Sequence, residues 1–144
     1  FYRAPREGLI DASRSIQVGI RTDYDRQSHD FVVIDAHAAS EQSVGDTITA
    51  IRKRVGDHPA YLSFDIDCLD PAFAPGTGTP VVGGLSTARI LAILQGIADL
   101  NIAGFDVVEV APAYDHADIT ALAAASLALQ FLYMRASRLS KAAP

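Results

Sequence analysis

The stretch YLSFDIDCLDPAFAPGTGTP, residues 61–80, decides how this chain is read. Its first part alternates. In a strand, Leu62, Phe64 and Ile66 point one way, and Ser63, Asp65 and Asp67 share the other face. Two carboxylates on one face at the end of a buried strand repel each other and lose solvation. A cation offsets both costs, and all-oxygen ligation favours Mg, Ca or Mn over softer metals. The loop that follows is rich in Gly, Pro and Thr, as expected where backbone approaches a ligand closely. A D-x-D pair alone is a weak signal, because most such pairs cap helices or face water. The apolar strand in front of this pair strengthens the metal reading. Asp70 precedes Pro71 and reads as a turn-former rather than a ligand.

Working outward, strands alternate with helices. Residues 15–20 alternate with Ile16, Val18 and Ile20 on one face, and residues 31–34 form a short apolar run. Residues 1–14 and 21–30 read as irregular. Ser43 is placed to cap a helix through Val55, with Val44, Ile48, Ile51 and Val55 at helical spacing and Gly56 ending it. Ser86 caps a second helix to about residue 100. Residues 102–110 form a strand, apolar apart from Asp106 and Glu109. Asp118 is read as the cap of a last helix to about residue 137. Strands alternating with helices imply βαβ crossovers and a parallel sheet covered by helices.

Composition narrows the class. The 144 residues amount to one domain, and 49% hydrophobic with 20% charged residues is ordinary globular composition. A net charge of −5 argues against nucleic acid as a partner and is compatible with a cationic ligand. Cys68 is the single cysteine, so no intrachain disulfide forms, and a reducing cytoplasm is the expected setting. With no run of about 18 apolar residues read and no signal peptide visible, no membrane association is expected.

The run SFDIDCLDPAFAPGTGTP, followed by Gly83-Gly84-Leu85, resembles the ureohydrolase family of arginases, agmatinases and their relatives. DVVEVAPAYD at residues 106–115, DITALAAASLAL at 118–129, the opening FYRAPREGLID and the following VGIRTDYD resemble the bacterial agmatinases of that family. The resemblance implies a three-layer αβα fold with a mainly parallel sheet. Residues 1–144 then correspond to the C-terminal half of a single ureohydrolase domain, the N-terminal half being absent. The resemblance also implies two Mn2+ ions that activate water against a guanidinium carbon. The expected reaction is hydrolysis of agmatine to putrescine and urea by a homo-oligomeric cytoplasmic enzyme, on a small cationic guanidino substrate. A guanidinobutyrase or other guanidino hydrolase, and a non-catalytic remnant of the fold, are the alternatives.

By the same resemblance Asp65 and Asp67 are metal ligands, and Glu109 is the catalytic, substrate-binding residue that orients the guanidinium. A carboxylate matches the paired N–H donors of a guanidinium bidentately. The hydroxyls of Thr79 and Thr77 are candidates for holding substrate or Glu109, with local turn bonding as the alternative. Asp35-Ala36-His37 invites comparison with the family's D-A-H-x-D metal motif. Ala39 stands where the second Asp belongs, so Asp35 and His37 are read as coincidence, with His37 in a loop. His29 and His58 read as solvated, and His116 receives no role. Cys68 reads as a packed thiol. The remaining metal ligands and the proton-shuttling histidine fall outside the chain, so the 144 residues by themselves are expected to be inactive.

Overall fold

A computed structural model of the chain describes residues 3–22 and 30–142. Residues 23–29, which include His29 and part of the VGIRTDYD run, lie outside the described residues, as do residues 1 and 2 of the opening motif. Four strands are described: β1 (Ile16–Ile20), β2 (Val32–Asp35), β3 (Ala60–Asp65) and β4 (Ile102–Val108). Five helices accompany them: α1 (Arg3–Arg6), α2 (Ala36–Glu41), α3 (Val44–Val55), α4 (Thr87–Gly96) and α5 (Ile119–Ala142).

Among the described residues the named strands pair in parallel, as the alternation of strands and helices implies. The pairing is divided into two ribbons, β1 with β2 and β3 with β4. In the second ribbon Leu62 lies beside Phe105 and Asp65 beside Val108. Leu62, Phe64 and Ile66 face the core, and Ile66 is fully buried. On that same face Phe105 stacks on Phe131 of α5, ring centroids 4.4 Å apart. Helices α3, α4 and α5 pack in a row, each on the next, and Ile51, Ile90, Leu94 and Leu127 fill the space beneath them. The other face of β3 carries Tyr61, which is 62% exposed and donates a hydrogen bond to Asp106 at 3.0 Å. The expected sandwich is therefore present as strands and one helical row, and the opposite face stands open at Tyr61.

Several helix ends follow their sequence signals. The Ser43 hydroxyl accepts from Asp46 N–H at 3.0 Å, and Ser86 Oγ from Arg89 N–H at 3.2 Å. Helix α4 stops at Gly96, short of residue 100. The Arg52 guanidinium reaches from α3 to the Gly96 carbonyl at 2.7 and 3.1 Å, and a Cβ on Gly96 would meet Ile48 Cδ1 at 2.1 Å. Helix α2 replaces the loop read around His37. Asp35 is its cap, accepting from Ala38 N–H at 2.8 Å, and His37 is an exposed helical residue.

The cap of α5 is also reassigned. Asp118 has φ +58°, and it is Asp115 that accepts from Thr120 and Ala121 N–H, both at 2.9 Å. Replacing Asp115 with Ala leaves both donors unmatched at the start of the longest helix. The expected result is a lower urea midpoint with an unchanged slope.

Helix α5 corrects the expectation on apolar runs. By length and composition alone, residues 119–140 are sufficient to cross a membrane. One side of the helix nevertheless packs on β4 through Phe131, and Leu127 and Met134 are buried at 1% and 4% exposure. These contacts cover one side of the helix, and 17% of the apolar stretch is buried.

Candidate active site

The site forms where β3 and β4 end side by side. Strand β3 stops at Asp65, and Asp67 is reached through a 3-10 turn, Ile66–Cys68, rather than by continued extension. The turn keeps the two carboxylates together: Asp67 N–H donates to Asp65 Oδ1 at 3.1 Å. Ile66 and Cys68 are buried beneath them. Cys68 is a packed free thiol, pushed up to about 12 by burial first and by the nearby Asp65 charge second.

Burial is the largest cause that pushes the Asp65 carboxyl up to about 6. The hydrogen bond from Asp67 N–H pulls the other way, while the like charges of Asp67 and Glu109 add to the rise. Three carboxylates therefore share one neighbourhood. The neighbouring guanidinium, Arg21, does not answer them directly. It donates to the main-chain carbonyls of Asp67 and, at 3.0 Å, Cys68. Arg21 thus clamps the 3-10 turn to the end of β1, and a Cβ on Gly19 would sit 3.2 Å from Cys68 Cβ. The sequence reading missed this role. Its only signal is a cation placed directly after the alternating strand β1.

Glu109 lies one residue past β4 with φ +65°, a left-handed conformation that costs a non-glycine residue about 1 kcal/mol or more. The turn places its carboxylate beside the 76–79 loop, where a Cβ on Gly78 would lie 3.7 Å from Glu109 Oε2. Thr77 bridges to Val110 and is 3% exposed, and its Oγ1 has no hydrogen-bond partner among the described residues. Thr79, read as a substrate contact, donates its hydroxyl to Asp67 Oδ2 at 2.8 Å. It therefore fixes the orientation of Asp67 and retains acceptor lone pairs for a donor on a ligand.

The loop is held from both ends by close backbone approaches. A Cβ on Gly76 would meet Asp115 Cα at 2.6 Å, and one on Gly84 would meet Asp70 N at 2.4 Å. Asp70 is the turn-former expected: it accepts from Ala72 N–H at 3.0 Å and Gly83 N–H at 2.8 Å, and these bonds, Ala72 first, hold its carboxyl below the usual range.

Asp35 and His37 do not join Asp65 and Asp67. They line a separate cavity of about 580 Å³ together with Arg21, Thr22 and Gly84. Among the described residues no cluster of three or more His, Cys, Asp or Glu forms a metal-binding group. His58 and His116 are exposed.

The raised Asp65 carboxyl sets a pH dependence for the metal-free chain. The native state holds a proton that the unfolded chain releases near 3.8, so stability falls as pH rises from about 4 through about 6 and then levels. Urea midpoints taken at pH 4.5 and 7 should show this fall, and Asp65→Asn should shrink it. An unchanged fall in the variant would assign the dependence to another group.

Residues 1–134 match the family model described as the arginase family. The agmatinase of Cronobacter sakazakii is 60% identical over 138 residues, covering 96% of this chain and 45% of that relative. The crystal structure of a hypothetical agmatinase from Burkholderia thailandensis superposes with a TM-score of 0.94 at 52% identity, over 99% of this chain and 45% of that one. Proclavaminate amidino hydrolase from Streptomyces clavuligerus superposes at 0.89 with 44% identity, over 94% of this chain and 46% of that one. The chain thus spans a little under half the length of the relatives it matches, and its α/β arrangement with parallel strands is part of theirs.

Proposed function

The chain belongs to the arginase family, and from that premise we propose that its site serves manganese-dependent hydrolysis of a guanidino compound, agmatine first, to urea and an amine. The observation that carries the reading is the Asp65–Asp67 pair at the end of β3, joined by the Asp67 N–H bond to Asp65 at 3.1 Å, with Glu109 near enough to add its charge to the burial that pushes the Asp65 carboxyl up to about 6.

Hard carboxylate oxygens short of positive charge fit a divalent cation such as manganese. Asp65 and Asp67 are the residues that would hold it. When bound, the metal supplies the acidification of water that makes a nucleophile near neutral pH. The rest is work of the chain. Thr79 holds Asp67 Oδ2 in place. Arg21 fixes the turn that presents Asp67. Glu109, set aside from the pair by its left-handed backbone, receives the guanidinium bidentately and orients its carbon. The orphaned Thr77 hydroxyl beside it is a further partner for a polar ligand.

Two aspartates provide too few ligands for two ions, so urea release requires the part of the relatives that this chain does not span. Agmatine is proposed because the Cronobacter relative carries the name agmatinase. A second reading, hydrolysis of a guanidino acid in place of agmatine, is favoured by the likeness to proclavaminate amidino hydrolase. The corresponding setting is a homo-oligomeric enzyme in a reducing cytoplasm, which the single buried thiol suits.

The test is urea release from agmatine, 4-guanidinobutyrate and arginine, with the chain assembled alongside the unmatched part of the Cronobacter enzyme. Agmatine is expected to be preferred at least tenfold in kcat/KM. Preference for 4-guanidinobutyrate would move the substrate, and release from none would remove the function.

A further inference from the structure

Among the described residues the buried polar side chains are Thr47, Thr77 and Thr120. Thr47 is bound locally, by Gln42 and by the Ser43 carbonyl, and Thr77 lies in the site already described. Thr120 stands apart from both. It sits in the first turn of α5 at 0% exposure. A threonine there ordinarily bonds to nearby backbone. Thr120 Oγ1 instead accepts from Gly76 N–H at 2.7 Å, 44 residues away in the chain. Capping of α5 does not call on this hydroxyl, because the Asp115 carboxylate already takes the Thr120 and Ala121 N–H groups.

Gly76 passes the hold onward in two directions. Its carbonyl accepts from Ala111 N–H at 2.8 Å, and Thr77 beside it bridges to Val110. Val110 and Ala111 directly follow Glu109, whose φ of +65° persists only where its surroundings determine it. In the other direction the loop continues to Thr79, whose hydroxyl holds Asp67 Oδ2 at 2.8 Å. The loop also lies directly on the segment that starts α5, since a Cβ on Gly76 would meet Asp115 Cα at 2.6 Å. One buried hydroxyl thus anchors the strip of backbone against which the Glu109 turn is set.

We propose that Thr120 is a positioning residue for the guanidinium side of the site: its hydroxyl seats Gly76, and Gly76 seats the turn that carries Glu109. The proposal rests on the functional reading for its substrate. Thr120→Val keeps the branched shape and offers no acceptor, so the Gly76 N–H is left unmatched where water does not reach it, and the loop shifts to relieve it. A displacement of about 1 Å in a group that orients substrate is enough to cost about a hundredfold in rate. Thr120→Ser keeps the acceptor.

The test uses the subunit assembled from this chain and the unmatched part of the Cronobacter enzyme. Urea release, manganese content and backbone amide exchange are read on the parent, Thr120→Val and Thr120→Ser. In Thr120→Val, kcat/KM for agmatine should fall at least about tenfold with manganese content unchanged. Amides of residues 76–79 and 109–111 should exchange faster, and those of α3 and α4 should not. Thr120→Ser should behave as the parent in all three readouts. A Val variant that is less stable but equal to the parent in kcat/KM has lost a structural contact only, and overturns the proposal. Equal losses in the Val and Ser variants, or loss of manganese in step with activity, overturn it too. If Thr120→Val does not assemble, Thr120→Ala is read against the same outcomes, and failure of both to assemble makes the hydroxyl a folding requirement and overturns the proposal. If the parent assembly releases no urea, the functional reading falls and exchange alone decides the positioning role: faster exchange at 76–79 and 109–111 in the Val variant, absent in the Ser variant, upholds it, and unchanged exchange overturns it.

Discussion

Asp65→Ala, made in a subunit assembled from this chain and the part its relatives carry beyond it, is expected to lower urea release by about a thousandfold and to strip manganese from the protein. A bound metal contributes several kcal/mol of transition-state stabilisation, and about 4 kcal/mol corresponds to that factor. Asp65 is the more deeply committed of the pair. It ends β3, accepts the Asp67 N–H and carries the cost of burial beside two other carboxylates. Removing it leaves too few hard oxygens to hold the cation. Asp67→Ala should weaken metal binding as well, with a smaller loss if Thr79 reorients toward the gap. The check is manganese content by elemental analysis alongside turnover. Full metal occupancy with normal turnover in the Asp65 variant would show that the pair is structural.

Glu109→Gln should behave differently. Manganese content should stay close to that of the parent, while kcat/KM for agmatine falls by roughly 30- to 1000-fold, the equivalent of about 2–4 kcal/mol. The amide keeps the shape of the side chain and the backbone turn but loses the charge and one acceptor. A guanidinium held bidentately by two oxygens cannot be held the same way by an oxygen and an NH2. Loss of manganese in this variant would place Glu109 among the metal ligands.

The alternation of residues 60–66 is a local signal, and it located β3 along the chain. What it could not show is that the strand stops at Asp65 and that a 3-10 turn, held by Arg21 from β1, presents Asp67. That hold comes from a residue more than forty positions away. The same limit explains Glu109. Its left-handed φ is a property of the folded turn, and glutamate is not a residue type that announces such a conformation. By its position in the sequence Asp118 reads as the cap of α5, and only the fold of the 112–118 segment gives the capping bonds to Asp115. Helix α2 is six residues long with no apolar period, so the Asp35 cap was its one readable mark. The division into two ribbons was also beyond the sequence, because strand pairing is set by contacts distant in the chain. The apolar character of α5 was visible in its composition, but which leucines face outward depends on where Phe131 meets Phe105.

The central claim is that the carboxylates at the ends of β3 and β4 serve a manganese-dependent guanidino hydrolase. Its most direct test is urea release from agmatine by the assembled subunit, measured after metal removal and again after manganese is restored, with the 144-residue chain alone in parallel. The account predicts no release from the metal-free assembly, recovery on adding manganese, and none from the chain alone under either condition. Steady release by the metal-free assembly, or by the isolated chain with mass spectrometry excluding anything longer, would contradict it.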